Sequence, residues 1–307
     1  MSYAAKILTD SISPGGHRLT TFEVTLPRIV LAEINTHRTM SRNSASSRAI
    51  PVEKMLKRVE DDPFIPIYWG KNQKGMQAAE ELSPQAQQLA RTLWLAQRDD
   101  AAATVRRLQL PDLDLHKQIA NRLLEPFLWH TVIATATEWG NFFNLRDNVK
   151  AQPEIQRAAS MMHMLFDASS PSCVNYDEWH LPLVAPDEAF DIEVMDGDPV
   201  AAAIISAGRC ARVSYLTHDG KRDPQADVAL HDALLAGGHM SPLEHPARPM
   251  THEELMMFRA PELVWTGRNW RATSKFTHFC GNYNGWIQRR KMIPGEADIH
   301  SHRGSVA

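Results

Sequence analysis

Apolar and polar positions sort this chain into a strand-like opening, a polar interruption and a helical remainder. Residues 18 to 34, RLTTFEVTLPRIVLAEI, are rich in Thr, Val and Ile and predict extended structure. Pro27 predicts an edge position or a break within it. Apolar content then almost vanishes over residues 35 to 51, NTHRTMSRNSASSRAIP. Residues 61 to 75 hold prolines, glycines and KNQKG and predict a loop. Ser83-Pro84 opens a helix, continued by QAQQLARTLWLAQ. A second long helix is predicted over 114 to 136. A third covers 153 to 168, where Ile155, Ala159, Met162 and Leu165 share a face. Residues 170 to 199, rich in Pro and acid, predict a connector. Asp198-Pro199 then caps the apolar helix VAAAIISAGRCARVS. A last helix, 225 to 236, stops at Gly237-Gly238. No repeat or low-complexity segment is present.

Composition narrows the classes. With 307 residues, 43% hydrophobic and 22% charged, the chain can bury a sizeable core. A net charge of -3 argues against a general nucleic-acid binder, yet allows a local basic pocket. No run of 18 apolar residues predicts a membrane span. The opening MSYAAKILTDSISPGG lacks the apolar core of a signal peptide. Cys173, Cys210 and Cys280 are widely spaced, with no C-x-x-C. A reducing, cytoplasmic setting is expected.

Candidate chemistry sits in three stretches. In the first, Arg38, Arg42 and Arg48 carry fixed charge, and guanidinium forks fit phosphate. Ser41, Ser44, Ser46 and Ser47 add hydroxyl donors. A phosphate pocket and a solvated basic loop explain this stretch about equally. The second, EWGNFFNLRDNVKAQPEIQ, sets Asn141, Asn144 and Arg146 at the end of an apolar helix. A polar helix end would look the same. The third, GGHMSPLEHP, crowds His239, Ser241, Glu244 and His245 into one turn, which a capping turn would also explain. No H-E-x-x-H is present, and one carboxylate between two histidines in a tight turn is weak ligand geometry, so no metal is expected.

Together these stretches resemble the flavin-dependent thymidylate synthases. Thr36-His37-Arg38 leading to Ser46-Ser47-Arg48 is similar to the family's signature Arg-His-Arg and Ser-Gly-Arg. NFFNLR and AQPEIQ are similar to its Asn/Arg helix end and the block after it. Gly238 to His245 and Cys210 to Ser214 resemble its Gly-His-x-Thr/Ser-Pro-Phe-Glu-His turn and Ala-Arg-Val-Ser helix. The four blocks touch about half of the chain. In the family the last two precede the signature, whereas here they follow it. The resemblance therefore implies an α+β domain, circularly permuted. Residues 1–169 would carry the signature loop and Asn/Arg helix, 170–199 the joint, and 200–307 the other two blocks, in one compact unit. Bacteriophage members carry blocks similar to SRNSASSR and GWIQRRK, which suits a phage origin and a host cytoplasm. The tail NYNGWIQRRK otherwise has no placed counterpart.

The resemblance further implies FAD as cofactor, with NADPH and methylene-tetrahydrofolate as cosubstrates. It implies transfer of a one-carbon unit to C5 of a deoxypyrimidine monophosphate, dUMP to dTMP. His37, Arg38, Asn141, Ser214, His239, Ser241 and Glu244 would contact the flavin. Glu33, Ser44, Ser46, Ser47, Arg48, Arg122 and Arg146 would hold the nucleotide, with Arg146 catalytic at the pyrimidine edge. Arg42 matches no anion ligand of the pattern. Family members are homotetramers with sites between subunits, so a homo-oligomer is expected. No enzyme nucleophile is needed, and PSCVNYDEW around Cys173 is a poor match to a nucleophile loop. Two departures stand out: Thr36 replaces the first signature arginine, and Ser44 replaces a glutamate. They keep open methylation or hydroxymethylation of dCMP or dUMP for modified phage DNA. A flavin-free nucleotide-binding protein is the alternative of another class.

Overall fold

The computed structural model describes residues 2–198, 200–215, 222–259, 262–265, 270–273 and 281–296. Pro199 and Cys280 lie outside these. Strand β1 (Ala4–Ile12) pairs antiparallel with β2 (Arg18–Pro27), with Ile7 opposite Phe22. β2 stops at Pro27, and a short 3-10 turn and helix α1 (Leu31–Asn35) follow. The extended structure expected over 28 to 34 is thus corrected. Val30 and Ile34, four apart, are both buried, which is a helical spacing.

β3 (Ser41–Ser44), α2 (Val52–Asp61) and α3 (Pro84–Leu108) come next. Ser83 caps α3, its hydroxyl accepting from the Ala86 N–H at 3.3 Å. The helix expected over 114 to 136 is not formed. Instead α4 (Lys117–Ala120) runs into a 3-10 turn, and β4 (Trp129–Ala136) follows. Pro126 ends the helical stretch, and the β-branched WHTVIATA suits a central strand. α5 (Gly140–Arg146) and α6 (Pro153–Ala168) follow, the latter with the predicted bounds. The expected connector holds β5 (Ser172–Cys173) and α7 (Pro186–Asp196). Its proline and acids mark a helix start: Pro186 with Asp187 and Glu188 in the first turn. α8 (Ala201–Tyr215), α9 (Pro224–Ala236), β6 (Ala247–Pro249), α10 (His252–Arg259), β7 (Glu262–Trp265), β8 (Trp270–Thr273) and β9 (Trp286–Gln288) complete the described elements.

The main sheet has the order β3-β4-β2-β1-β5, antiparallel except for the β1–β5 edge. Side-chain alternation gives it two different faces. Phe22, Val24, Leu26, Val132, Ala134 and Ala136 pack on α5 and α6 through Phe142, Ile155, Ala159 and Met162. Each large apolar side chain among them contributes roughly 1.5–3 kcal/mol. On the opposite face Ile133 meets Cys210 and Val213 of α8. A second core joins α2, α3 and the 3-10 turn through Met55, Leu56, Val105, Leu124 and Phe127.

The α8 side of the sheet also holds a buried polar chain. Ser11 Oγ lies 2.8 Å from His180 Nδ1, and His180 Nε2 lies 2.7 Å from Thr21 Oγ1. Thr21 meets Thr135 at 2.7 Å, and Thr135 meets His245 Nδ1 at 2.8 Å. Residues from 170 to 199 and from the 238 to 245 turn are thereby tied to strands of the N-terminal half. α7, α8 and α9 are joined by charge: Arg209 bonds Glu188 and Asp227, and Arg212 lies 2.8 Å from Asp227.

Candidate active site

The polar interruption at 35 to 51 becomes strand β3 and the turn beyond it. β3 pairs with β4, Asn43 opposite Ile133 and Ser44 opposite Val132. From Ser41 to Ser47 burial alternates strictly: Ser41, Asn43, Ala45 and Ser47 are buried, and Arg42, Ser44 and Ser46 are half-exposed. The period of two puts Ser44 and Ser46 on one side, and the 3-10 turn Ser47–Ala49 then carries the exposed Arg48. That side opens on a cavity of about 420 Å³.

The opposite wall of the cavity comes from the other half of the chain. α9 ends in two paired hydrogen bonds, Gly238 N–H to Leu235 O at 3.1 Å and His239 N–H to Leu234 O at 2.8 Å. This closure needs a left-handed residue, supplied by Gly238 at φ +69°. It turns the chain so that His239, Ser241 and Pro242 line the cavity. His116 and Gln118 line it as well. The residues carried no signal in sequence, since they sit in a loop and a one-turn helix without a motif. His116 Nδ1 accepts from the Gln118 N–H at 3.3 Å, which leaves Nε2 as the protonated nitrogen of the neutral ring.

The turn bearing Arg48 is held from behind. Asn121 is fully buried, and its Nδ2 donates to Ser47 O at 2.7 Å and Ile50 O at 2.9 Å. Lys117 Nζ reaches Ala49 O at 3.3 Å. Asn121→Ala leaves both carbonyls without that donor. The expected loss is about 1–3 kcal/mol of stability. Urea unfolding of the variant checks it, and an unchanged midpoint would contradict it.

A second cluster forms around His37, which is buried and edge-on to Phe142. Arg146, at the end of α5, donates from Nε to His37 Nε2 at 3.0 Å. Its Nη2 donates to Thr36 Oγ1 at 3.0 Å and Glu33 O at 3.3 Å. Arg42 donates to His37 O at 2.6 Å and Ile34 O at 3.3 Å, and so braces the same loop. Burial, with Arg146 and Arg42 adjacent, lowers the His37 pKa and keeps the ring neutral. Glu33 Oε2 is buried without a hydrogen bond.

The sequence-predicted residues therefore divide. Ser44, Ser46, Arg48, His239 and Ser241 meet at the cavity. Glu33, His37 and Arg146 meet in the second cluster, with Arg38 and Asn141 exposed. Ser47 and Arg122 instead donate to Glu125 Oε1, each at 2.7 Å. Glu244 pairs with Arg290 at 2.5 Å. Ser214 lies on α8, and its side chain lies outside what is described. The unplaced tail is a brace for the signature strand. Gln288 Nε2 donates to Ser41 Oγ at 3.0 Å, Asn282 Nδ2 to Thr39 O at 2.8 Å, and Tyr283 Oη to Glu244 O at 2.9 Å. Cys210 is buried and its thiol pKa is raised by that burial, which makes it a poor nucleophile. Among the described residues, no group of acids, histidines and cysteines could hold a metal. No described helix is long and apolar enough to cross a membrane.

A family model described as "Thymidylate synthase complementing protein" matches residues 6–172, more than half of the chain. The chain belongs to that family, the flavin-dependent thymidylate synthases. It is a methyltransferase-type enzyme that transfers a one-carbon unit to a pyrimidine nucleotide. The matched span holds the signature loop, the Asn/Arg helix and all of the main sheet's strands except the first two residues of β1 and the last residue of β5. A UMP/dUMP methylase, PolB from Streptomyces cacaoi, is similar in structure. Bound with 5-Br UMP it gives a TM-score of 0.42 at 19% identity, covering 54% of this chain and 88% of that one. Bound with 5-Br dUMP it gives 0.43 at 17% identity, covering 54% and 90%. A search of curated proteins finds no match.

Proposed function

We propose that this family member methylates C5 of a deoxypyrimidine monophosphate, converting dUMP to dTMP with methylene-tetrahydrofolate and NADPH. One observation carries the proposal. The 420 Å³ cavity gathers Arg48, two serines, His239 and Ser241 from distant parts of the chain. Its volume lies within the range of small-molecule sites. Its donor set is that of a phosphate site, a fixed cation among hydroxyls. Arg48 and Ser46 hold the nucleotide phosphate in this reading, and Ser44, His116 and Gln118 face the rest of it.

The flavin fits the residues present, on the chemistry of the donors. His239, Ser241, Arg38 and Asn141 would hold FAD, whose bound form supplies hydride chemistry. A dinucleotide is longer than the mononucleotide this cavity suits. The exposed Arg38 and Asn141 would therefore meet it across a contact with a second copy of the chain, as in a homo-oligomer. Arg146 is a fixed cation oriented by His37 and Thr36 and does not line this cavity, so in this reading it meets the pyrimidine edge from a second copy of the chain and opposes negative charge growing on the ring. The permuted order of blocks belongs to the same proposal. It is supported by the contact of α8 and the 238 to 245 turn with the signature strand, since Asn43 Nδ2 donates to Cys210 O at 2.7 Å.

Hydroxymethylation or methylation of dCMP or dUMP for modified DNA is the second reading, because Ser44 lines the cavity where the family carries a glutamate. Two tests apply. The purified chain is expected to be yellow or to gain flavin absorbance on reconstitution with FAD, and a chain that stays colourless contradicts the flavin assignment. Arg48→Ala removes a contact made in both ground and transition states, so KM for the nucleotide should rise at least tenfold, about 1.4 kcal/mol, while kcat changes little. An unchanged KM would contradict the phosphate site.

A further inference from the structure

A second pair of cavities lies behind the signature turn. The inner one, about 20 Å³, has room for one water-sized occupant. The outer one, about 290 Å³, opens to the surface beside α2. They share Arg58, Leu128 and Trp129 as their common wall.

Charge around the inner cavity is unbalanced. Arg28 donates to Glu125 Oε1 at 3.3 Å and to His130 Nε2 at 3.0 Å. The same Glu125 oxygen also receives Ser47 and Arg122. Arg58 is half-buried, its guanidinium pKa lowered by burial, and it makes no ion pair among the described residues. Burial, with Arg28 and Arg58 adjacent, holds His130 neutral, so the ring adds no further positive charge there. The Trp129 indole N–H is buried without an acceptor. A half-buried cation and an unpaired donor at one small cavity are costly without an acceptor between them.

The outer cavity limits what the acceptor belongs to. Leu128 and Trp129 give it an apolar floor, and Lys54 and Lys57 stand at its rim. Asp61 and Asp62 stand there too, which disfavours a ligand with several negative charges. We propose that this is a binding site for a small organic monoanion, an aryl or short-chain carboxylate, with one oxygen of its charged head entering the inner cavity at Arg28, Arg58 and Trp129 and its apolar body on Leu128 and Trp129 in the outer one. The site is separate from the 420 Å³ cavity: Ser47 and Ser46, adjacent in sequence, point to opposite sides of the turn. Its occupant would therefore lie against the back of the segment that carries Arg48.

The probe is benzoate, with benzyl alcohol as its neutral counterpart and inorganic phosphate as the multiply charged one. Calorimetric titration of the full chain at fixed ionic strength should give saturable benzoate binding, with Kd on the order of millimolar. Arg58→Gln should weaken it at least tenfold, whereas benzyl alcohol and phosphate should not saturate. Equal binding of benzyl alcohol, or equal binding by Arg58→Gln, would overturn the proposal. Crystals of the unsubstituted protein soaked in bromide provide a test free of any folding defect. An anomalous peak between Arg28 and Arg58 is expected, and its absence would overturn the anion head site.

Discussion

Acidification from about pH 6.5 to about pH 5 is expected to remove about 5 kcal/mol of this protein's stability through three buried histidines. His130, His180 and His245 each have a pKa of about 3 in the folded chain. Burial is the first cause for all three, and adjacent arginines add to it at His130. The sign follows from linkage. Unfolded histidine takes up a proton near pH 6.5, whereas the folded form resists until about 3. The neutral rings therefore contribute stability that is fully present above the unfolded pKa and is lost as pH falls below it. Three such groups give a slope of about 4 kcal/mol per pH unit. The unfolded rings are only half protonated at the start of this range, so a drop of about 1.5 units costs about 5 kcal/mol, comparable with a whole domain's stability. The geometry gives the same direction at His245, whose Nε2 is buried with no acceptor for the N–H a charged ring would carry. Calorimetric unfolding across this range should show Tm falling steeply, with about three protons taken up per molecule unfolded. A Tm flat to about pH 4.5 would show that the three rings titrate normally.

Arg146→Ala is expected to lower kcat roughly a hundred- to a thousand-fold with the nucleotide saturating. The side chain has a fixed charge and three defined acceptors, on His37, Thr36 and Glu33. It is already oriented before substrate arrives, which is what electrostatic stabilisation of a transition state requires. Arg146→Lys keeps the charge but not the fork that spans His37 and Thr36, and should recover little of the rate. A purely structural role would give a different pattern. Flavin content and Tm would fall together with kcat, and added FAD would restore the rate. Arg42 is not a neutral control for this experiment, because it holds the His37 and Ile34 carbonyls of the same loop. Arg48→Ala is the better contrast, since it lies at the cavity and should act on KM.

Local signals were legible where the chain forms its own structure. The α6 bounds, the Ser83 cap and the Gly237-Gly238 stop follow from proline, serine and glycine placement, which tertiary contacts do not alter. The strand at 129 to 136 was not legible as such. WHTVIATA lies between β2 and β3 and is buried on both faces, so its apolar run lacks the period that separates a strand from a buried helix. β1 went unmarked for a related reason: it is held by pairing with β2 and β5, partners that local pattern does not name. At the site, the grouping of Ser44 and Ser46 follows from their alternation, whereas Arg48 joins them through the 3-10 turn Ser47–Ala49. His116 and Gln118 do not, because only the packing of the 47 to 50 turn on Asn121 and Lys117 carries them to the cavity. The NYNGWIQ segment showed its aromatics and amides in sequence, but not that they would hydrogen-bond a strand some 240 residues earlier.

The most direct test of the account is one incubation. The purified chain, with FAD, NADPH and methylene-tetrahydrofolate, is offered dUMP and dCMP separately, and the nucleotide products are weighed by mass spectrometry. The account predicts a product heavier than dUMP by one methyl group in place of hydrogen, formed only when flavin and folate are both present. Recovery of unchanged dUMP and dCMP from a folded, flavin-loaded protein would contradict it.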